Sequence, residues 1–348
     1  KESSASAMFV YSLAKGIRKG YLPEKYLKTV NTGWAGIKKE FIKELHDGNL
    51  DWEGTVSVSG LGGNPYRDGS FDYYMTEKLR TNDVKGLGPA VMAAVEMEHL
   101  AKGQNGKGKT VVLDDYFNRE MKKDAKGNDY SWHYKWEEKN HGGYYALGQQ
   151  FESFGAKTDT LSVAPTASNL ANANVYIIVD PDTEKETPKP NFIKSDDIKN
   201  ISDWVKKGGV LVMLGNDFGN CEYENWNNLA KAFGVEFNKD SKNRVVNDVY
   251  EQGRVTVGNN NLIFKNARDL YMKEISTLKV SGKAQTILTL NNEPIIATVK
   301  HGKGTVFILS DPWLYNEYVD GRKMNGLFQN MDAAKELAAW LLSQAKRK

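Results

Sequence analysis

Residues 205–217 read VKKGGVLVMLGND, and this stretch indicates how the larger part of the chain is folded. The two lysines end an amphipathic segment, and the glycine pair that follows them allows a tight turn. Residues 210–214 are five consecutive apolar residues, which is typical of a strand buried on both faces of a parallel sheet. The stretch therefore predicts a helix, a tight turn and a central strand, with Asn216 and Asp217 directly after the strand.

The same alternation of short apolar runs and amphipathic segments extends over residues 110–348. The predicted strands are TVVLDD (110–115), VYIIVD (175–180) and TVFILSD (305–311), and the predicted helices are GGYYALGQQFESFG (142–155), DDIKNISDWVKKGG (196–209), ENWNNLAKAFG (224–234) and DAAKELAAWLLSQA (332–345). This order predicts a mainly parallel, doubly wound α/β domain. Residues 244–300 interrupt it with runs that resemble β-hairpins added at one edge: RVTVG, NLIF, STLKV, TILTL and PIIATVKHGKG.

Residues 102–109, KGQNGKGK, predict a linker because a run of glycine, lysine and polar residues cannot pack a core. Before this stretch, the signal is helical. One predicted helix starts near Pro23, ends before Gly48 and has the apolar face Tyr26, Val30, Trp34, Ile37, Phe41 and Leu45. An upstream helix has the stripe Phe9, Leu13 and Ile17 and ends at Gly20, and a downstream helix begins at Pro89. The predicted domains are 1–101 and 110–348, joined by the linker.

The loop GLGGNPYRDGSFDYY, residues 60–74, combines glycines with charged and aromatic side chains. Arg67 can bind a carboxylate through two parallel hydrogen bonds, and Asp68 can accept hydrogen bonds from sugar hydroxyls. The aromatic rings offer flat faces to a sugar ring; they are Tyr66, Phe71, Tyr73 and Tyr74. Such a loop suits the rim of a pocket for an acidic carbohydrate. The alternative is that Arg67 and Asp68 pair with each other and that the rings belong to the core.

Composition excludes several classes of partner and site. The chain has 47 basic and 44 acidic residues, which are interspersed, so no basic face for nucleic acid is predicted. No run of eighteen apolar residues encodes a membrane span. The single cysteine, Cys221, excludes an intrachain disulfide and a thiolate zinc cluster.

Polar residues follow the predicted strands, at the edge where doubly wound folds bind ligands. They are Asp114, Asp115, Asp180, Asn216, Asp217 and Asp311. Together they can bind a sugar or a cation; the alternative is that they are N-caps and turn residues. Trp132, Tyr134 and Trp136 can form a platform for a sugar, whereas the spacing of His133 and His141 is not that of metal ligands. We expect no metal and no cofactor.

Three segments carry a family resemblance, and they are SASAMFVYSLAKGIRKGYL (4–22), GTVSVSGLGGNPYRDGSFDYY (54–74) and TNDVKGLGPAVMAAVEME (81–98). They resemble the C-terminal part of the unsaturated rhamnogalacturonyl hydrolases. The resemblance implies the last hairpins of an all-α six-hairpin barrel, followed by the α/β domain. It also implies a glycoside hydrolase of pectin degradation that releases 4,5-unsaturated galacturonate from rhamnogalacturonan oligosaccharides. An aspartate protonates the double bond, water adds, and the resulting hemiketal collapses; this chemistry needs no metal.

The resemblance covers about the first 100 residues, so only part of such a barrel is expected here. The family's catalytic aspartate matches no position in this chain. The matching positions are Tyr66, Arg67, Asp68, Asn82, Asp83 and Lys85, which the resemblance makes candidate substrate-binding residues. A partial barrel is expected to expose apolar helix faces, which the remaining barrel hairpins or another copy of the chain would cover. The periplasm and the cytoplasm of a bacterium both stay open as locations.

Residues 110–348 resemble the glutamine-amidotransferase-like, flavodoxin-like modules that accompany some bacterial glycoside hydrolases. Amidotransferase chemistry needs a nucleophilic cysteine on a strained turn between a strand and a helix. Cys221 lacks the glycine pattern of that turn, so we expect an accessory domain without this activity. The alternative function for the whole chain is a non-catalytic module that binds carbohydrate or another protein and retains a remnant of the barrel.

Overall fold

The structure is a computed structural model that describes residues 2–101, 105–324 and 326–346. The chain divides into two compact units, residues 1–104 and 105–348. Residues 102–104 of the predicted linker lie outside the described residues. Gly106, near the other end of that stretch, is buried, and its amide donates a hydrogen bond to the carbonyl of Phe154. This part of the predicted linker therefore belongs to the second unit.

The first unit is built from four helices and short strands. In chain order they are α1 (Ser3–Arg18), α2 (Leu27–Phe41), β1 (Ile42–Glu44), β2 (Leu50–Trp52), β3 (Thr55–Val56), β4 (Leu61–Gly62), β5 (Arg67–Asp68), α3 (Phe71–Thr76), β6 (Leu79–Arg80) and α4 (Val84–Ala101). Strands β1 and β2, β3 and β6, and β4 and β5 form antiparallel pairs.

Helix α1 uses small residues to approach α4. Its buried side chains include Ala7, Val10 and Ala14, which share a core with Ala90 and Ala93 of α4. The predicted stripe of Phe9, Leu13 and Ile17 is therefore wrong in part, because only Ile17 is buried and Phe9 is 71% exposed. Small side chains bring the two helices close, and this rotates the larger residues away from the contact.

Two predicted helix limits are also wrong. Helix α2 ends at Phe41 rather than Leu45, because the next residues form the hairpin of β1 and β2, whose turn contains Gly48 at φ +81°. Helix α4 begins at Val84 rather than Pro89. Asp83 satisfies its first turn: the carboxylate accepts the Lys85 amide at 3.0 Å, and the carbonyl accepts two further amides.

A buried ion pair connects the first and last helices of this unit. The Arg18 guanidinium donates two hydrogen bonds, of 2.7 and 2.8 Å, to the carboxylate of Glu96. Burial alone would raise the pKa of Glu96, but the bonds and charge of Arg18 outweigh it and lower that pKa. Several apolar side chains of the unit are exposed, among them Phe9, Val91 and Met92.

The second unit contains the remaining elements. They are β7 (Thr110–Asp114), β8 (Met121–Lys123), β9 (Asp129–Ser131), α5 (Tyr145–Ser153), β10 (Lys157–Leu161), β11 (Val175–Val179), α6 (Ser195–Lys206), β12 (Val210–Leu214), α7 (Tyr223–Lys231), β13 (Val235–Phe237), β14 (Arg254–Thr256), β15 (Asp269–Tyr271), β16 (Leu278–Val280), β17 (Gln285–Leu290), β18 (Glu293–His301), β19 (Gly304–Leu309), α8 (Asn316–Val319) and α9 (Asn330–Gln344). None of the described helices is both long and apolar enough to cross a membrane.

Seven of these strands form one sheet in the order β10–β7–β11–β12–β19–β18–β17. The first five strands are parallel, and β18 and β17 continue the sheet in antiparallel pairing. Alternate residues of β12 enter different cores: Val212 packs with α5 and α9, and Met213 packs with α6 and α7. Burial on both faces explains why β12 is an unbroken apolar run.

The hairpins predicted between residues 244 and 300 form in part. Strands β14 and β15 pair with each other, and β17 pairs with β18 at the edge of the main sheet. The prediction of a strand at NLIF is wrong. The side-chain oxygen of Asn261 accepts the amides of Ile263 and Phe264 at 2.9 and 3.0 Å, so this segment is a turn.

Gly304, the first residue of β19, provides the clearest test of this packing. A Cβ at Gly304 would overlap the backbone carbonyl oxygens of Val205 and Gly209, which cannot move away without shifting α6 and β12. We expect Gly304→Ala to destabilise the second unit by about 1–3 kcal/mol or more. Gly258→Ala is the matched control, because a Cβ there meets no atom within 4 Å. Thermal unfolding followed by tryptophan fluorescence checks this, and equal melting temperatures for the two variants would contradict it.

Candidate functional site

The parallel strands β7, β11, β12 and β19 end at one edge of the sheet. The residues that follow them include the five predicted ligand-binding residues Asp115, Asp180, Asn216, Asp217 and Asp311. The structure distributes these residues between a closed cluster and an open cavity. Asp114, the last residue of β7, has a structural role, because its carboxylate accepts the backbone amides of Tyr116, Phe117 and Asn118.

The closed cluster is centred on Asp180. One oxygen of its carboxylate, Oδ2, accepts hydrogen bonds from Asn216 Nδ2 at 2.9 Å and from the Tyr134 hydroxyl at 2.8 Å. The Tyr134 hydroxyl also lies 3.1 Å from that of Tyr315. The other oxygen, Oδ1, is buried without a hydrogen-bond partner. The structure therefore does bring two predicted residues, Asp180 and Asn216, into direct contact.

Asp311 lies in the same buried region as the closed cluster. Its Oδ2 atom is buried without a hydrogen-bond partner, and burial, together with the charges of Asp217 and Asp180, raises the pKa of Asp311 well above its usual value. Burial likewise raises the pKa of Asp180. Asp180 and Asp311 are only 4% and 3% exposed, so a ligand cannot reach them in this arrangement. In their protonated forms, Asp180 and Asp311 are suited to holding the strand ends together.

Asp217 lies beside this cluster, and its Oδ1 atom accepts a hydrogen bond from Asn220 at 2.7 Å. This contact is that of a turn residue. Cys221 is buried, and burial raises the pKa of its thiol well above the usual value. A protonated, inaccessible thiol is a poor nucleophile.

Asp115 lies in a different group, which lines a cavity of about 400 Å³. Its carboxylate accepts hydrogen bonds from Ser131 at 2.5 Å and Ser162 at 2.8 Å, and it forms an ion pair with Lys135 at 2.9 Å. Burial alone would raise the pKa of Asp115. Lys135 and the two serines outweigh burial, so the pKa of Asp115 is lowered. Lys135 and Glu138, which the sequence analysis missed, both line this cavity. Nothing in the local pattern WHYKWEEKN distinguishes them from solvated charges.

The predicted aromatic platform forms only at Trp132. Trp132 lines the cavity, whereas Tyr134 and Trp136 are buried in the core, so the prediction of a three-ring platform is wrong. His133 contacts Glu120 at 2.9 Å, and His141 contacts Glu317 at 3.1 Å. Within the described parts of the chain, no three His, Cys, Asp or Glu side chains are grouped so as to hold a metal ion.

The loop of residues 60–74 forms a hairpin in which β4 and β5 pair Leu61 with Asp68 and Gly62 with Arg67. The Arg67 guanidinium lies against Gly63, and its Nε atom is buried without a hydrogen-bond partner. Asp68 is exposed and accepts the Ser70 amide at 2.9 Å, which lowers the pKa of Asp68. Tyr66 and Phe71 are 72% and 75% exposed, so these two rings are not core residues.

The other three candidates of the first unit connect its short strands to α4. Asn82 accepts the Trp52 amide at 2.9 Å and donates to Asp51 at 2.8 Å. Asp83 caps α4, and the pKa of its carboxylate is lowered because it accepts the backbone amide of Lys85. The ammonium of Lys85 donates to the carbonyl of Ser57. These contacts stabilise the unit, and among the six candidates Arg67 has a buried side-chain donor without a hydrogen-bond partner.

Comparison with known proteins identifies the relatives of the first unit. Residues 1–101 match Glycosyl Hydrolase Family 88. A solved glycoside hydrolase of Family 105 from C. acetobutylicum is 46% identical over 28% of this chain and 27% of its own, with a TM-score of 0.27. Protein Atu3128 of Agrobacterium fabrum is 38% identical over 107 residues, which are 29% of this chain and 46% of that protein. The chain therefore spans about half the length of the curated relatives it matches.

The similarity of residues 1–101 relates the first unit to a glycoside hydrolase family. All six candidate binding residues of the first unit lie within this Family 88 match. The N-terminal domain of mmIFT52 is 17% identical, has a TM-score of 0.51 and covers 67% of this chain and 97% of its own. That coverage exceeds the whole first unit, so the likeness must include the second unit, and it concerns the fold alone.

Asp182 provides a test of the buried carboxyl groups. Its Oδ2 atom accepts the Arg119 amide at 2.9 Å and the Thr187 hydroxyl, whereas Oδ1 is buried without a partner. Burial, with smaller contributions from Glu120 and Glu186, raises the pKa of Asp182 to about 6. In the unfolded chain the pKa of an aspartate is about 3.9. Between this value and the folded-state pKa, the folded state binds more protons than the unfolded state, so the protein loses stability as the pH rises through that range.

We expect Asp182→Asn to remove this loss, because an amide stays neutral and retains an oxygen for the Arg119 amide. The free energy of unfolding of the variant, relative to the wild type, should rise by up to about 3 kcal/mol between pH 4 and pH 6. Below about pH 3 the two pH profiles should run parallel, since the carboxyl group is then protonated in both states. Urea unfolding at several pH values measures the difference, and a constant difference across the range would contradict the prediction.

Proposed function

We propose that the protein is a glycoside hydrolase of pectin degradation that acts on oligosaccharides ending in 4,5-unsaturated galacturonate. The Family 88 match of residues 1–101 is the observation that carries this proposal, and the 46% identity to a Family 105 enzyme supports it. The resemblance implies protonation of the double bond, addition of water and collapse of a hemiketal. The substrate is thus a carbohydrate with one carboxylate next to the reacting bond.

Arg67 is the residue of the first unit best suited to bind that carboxylate. It lies in a hairpin that carries the exposed ring of Tyr66, and the exposed ring of Phe71 follows at the start of α3. Its Nε atom is buried and has no acceptor within the protein, whereas a substrate carboxylate would bind the terminal nitrogens of the guanidinium. The planar guanidinium matches both oxygens of a carboxylate, which gives a defined orientation to the uronate.

Asp68 is suited to accept hydrogen bonds from hydroxyls rather than to donate the proton of the reaction. It is exposed, and the Ser70 amide favours its charged form. An efficient general acid has a pKa near the working pH, whereas a carboxyl with a lowered pKa is ionised there. Glu2, Asp47, Asp83 and Glu96 of this unit also have lowered pKa values. We therefore assign the role of catalytic acid to none of these five carboxyl groups.

The test is an assay on an unsaturated galacturonyl-rhamnose disaccharide, followed by loss of the ultraviolet absorbance of its double bond. The assay uses the 348-residue chain and the longest product of its gene. In whichever is active, Arg67→Met should lower kcat/KM about ten- to a hundredfold, because a hydrogen-bonded charge pair contributes about 1.5–3 kcal/mol. Arg244→Met, which removes an exposed arginine of the second unit, is the matched control and should have no effect.

Three results separate the possibilities. Turnover by the 348-residue chain that is lost in Asp68→Asn would show that Asp68 is the acid and would contradict our assignment. Turnover only by a longer product would place the acid outside this sequence. Absence of turnover in both would overturn the hydrolase proposal and favour the non-catalytic module.

A further inference from the structure

The cavity next to Asp115 has a chemical character of its own. It opens at the carboxyl end of β7, and Thr160 of β10 also lines it. Its volume of about 400 Å³ falls within the range of small-molecule sites, about 300–1,000 Å³. None of the six candidate binding residues of the first unit lines it, and its walls come entirely from the second unit.

The charged residues around the cavity give it more acceptors than donors. Three carboxylates line it, from Asp115, Glu137 and Glu138, against two ammonium groups, from Lys135 and Lys139, so the formal balance is −1. Lys135 has no proton left for a ligand, because its ammonium already contacts Asp115 Oδ1 at 2.9 Å and Asn118 O and Oδ1 at 2.8 and 3.2 Å. The Glu138 Oε2 atom is buried and has no hydrogen-bond partner. The Glu138 carboxylate therefore has acceptor capacity that no protein donor uses, on the wall of a cavity suited to an occupant that donates hydrogen bonds.

The loop that forms the cavity wall is held in place without a ligand. The side-chain amide of Asn316 donates through Nδ2 to the carbonyls of Glu138 and Asn140, both at 2.7 Å. The side-chain oxygen of Asn316 accepts the backbone amide of Ala146 at 2.7 Å. The Lys135 carbonyl accepts the Tyr144 amide at 3.0 Å. Binding therefore requires little ordering of the loop, which favours even weak ligands.

Aromatic side chains complete the wall. Tyr130 lines the cavity and is 46% exposed, so its ring and hydroxyl are accessible. Trp132 also lines it, stacks on His133 with 4.8 Å between ring centroids, and has the Lys122 ammonium over its ring. Aromatic rings beside carboxylates are suited to pyranose rings, which have apolar C–H faces and hydroxyls at their edges.

We propose that this cavity is a binding site for a neutral sugar residue of an oligosaccharide. The hydroxyls of a neutral sugar would donate to Glu138 and would accept from Asn140 and the Tyr130 hydroxyl. A uronate is selected against, because its carboxylate would add a negative charge to a cavity that already has an excess of one. The site extends the proposed function, since it would hold the neutral part of a branched polysaccharide while the reaction takes place on a uronate.

The test compares two ligands that differ at one carbon, methyl β-D-galactopyranoside and methyl β-D-galactopyranosiduronate, with methyl α-L-rhamnopyranoside as a second neutral sugar. Saturation-transfer NMR titrations with the 348-residue chain give the dissociation constants. We expect at least one neutral glycoside to bind, and to bind at least tenfold more tightly than the uronide at low salt. Added salt should narrow this difference, because screening weakens the repulsion.

Two variants locate the site. Glu138→Gln keeps the shape of the side chain but removes its charge, and it should weaken binding of the neutral glycoside about tenfold or more. Tyr130→Ala, at an exposed position where folding is not at risk, should weaken it as well. Glu184→Gln is the matched control, an exposed glutamate outside the cavity, and should leave the dissociation constant unchanged.

Failure of this proposal is distinct from failure of the hydrolase proposal, because sugar binding is measured without turnover. No binding of either neutral glycoside, equal or tighter binding of the uronide, or an unchanged dissociation constant in both Glu138→Gln and Tyr130→Ala would each overturn it. Loss of turnover of the unsaturated galacturonyl-rhamnose disaccharide in Arg67→Met, by contrast, concerns only the first unit.

Discussion

Burial of the parallel strands on both faces is the constraint on which the second unit depends. Strands β11 and β12 have only buried residues, and alternate side chains enter two separate cores. In β11 and β12, charged groups therefore lie only beyond the strand ends, where the chain leaves the sheet. The close approach of Gly304 to Val205 and Gly209 belongs to the same constraint, because α6 must lie close against the sheet to cover it.

Burial also determines the protonation chemistry of the two units. In the second unit, burial raises the pKa of Asp114 and Asp182 to about 6 and that of Asp180 and Asp311 well above the usual value. Groups with such values are protonated or partly protonated near neutral pH, and two neighbouring acids of this kind do not repel each other. In the first unit, backbone amides stabilise the ionised forms of Asp68 and Asp83. The same side chain thus has different chemistry according to whether hydrogen-bond donors or a neighbouring cation offset its burial.

The carboxyl edge of the sheet contains both the closed cluster around Asp180 and the cavity that Asp115 lines. Asp180 is held by Asn216 and Tyr134 and is closed to ligands. Asp115 is held by Lys135 and lines a cavity. The difference comes from the loop after β9. In this loop Tyr134 is buried in the core at the end of β11, whereas Trp132 and Lys135 line the cavity at the end of β7. The same loop therefore closes one candidate site and forms the other.

Much of the secondary structure could be predicted because its cause is local. Apolar runs such as 175–179 and 210–214 can be buried only as strands within a covered sheet, and the structure has β11 and β12 there. The helix limits near Leu45 and Pro89 could not be predicted, since a hairpin partner and a capping aspartate decided them. The similarity of residues 1–101 to glycoside hydrolases was likewise readable from local motifs.

The site depended on contacts between distant residues. The sequence showed that polar residues follow the strands, but Asp180 and Asp115 are equivalent in that pattern. Their separation arises from Tyr134, Lys135 and Asn316, which lie far from them along the chain and carry no local signal of their role. Periodicity reports which face of an element is buried, whereas the hydrogen-bond partners of a polar side chain are determined by which loops fold over it.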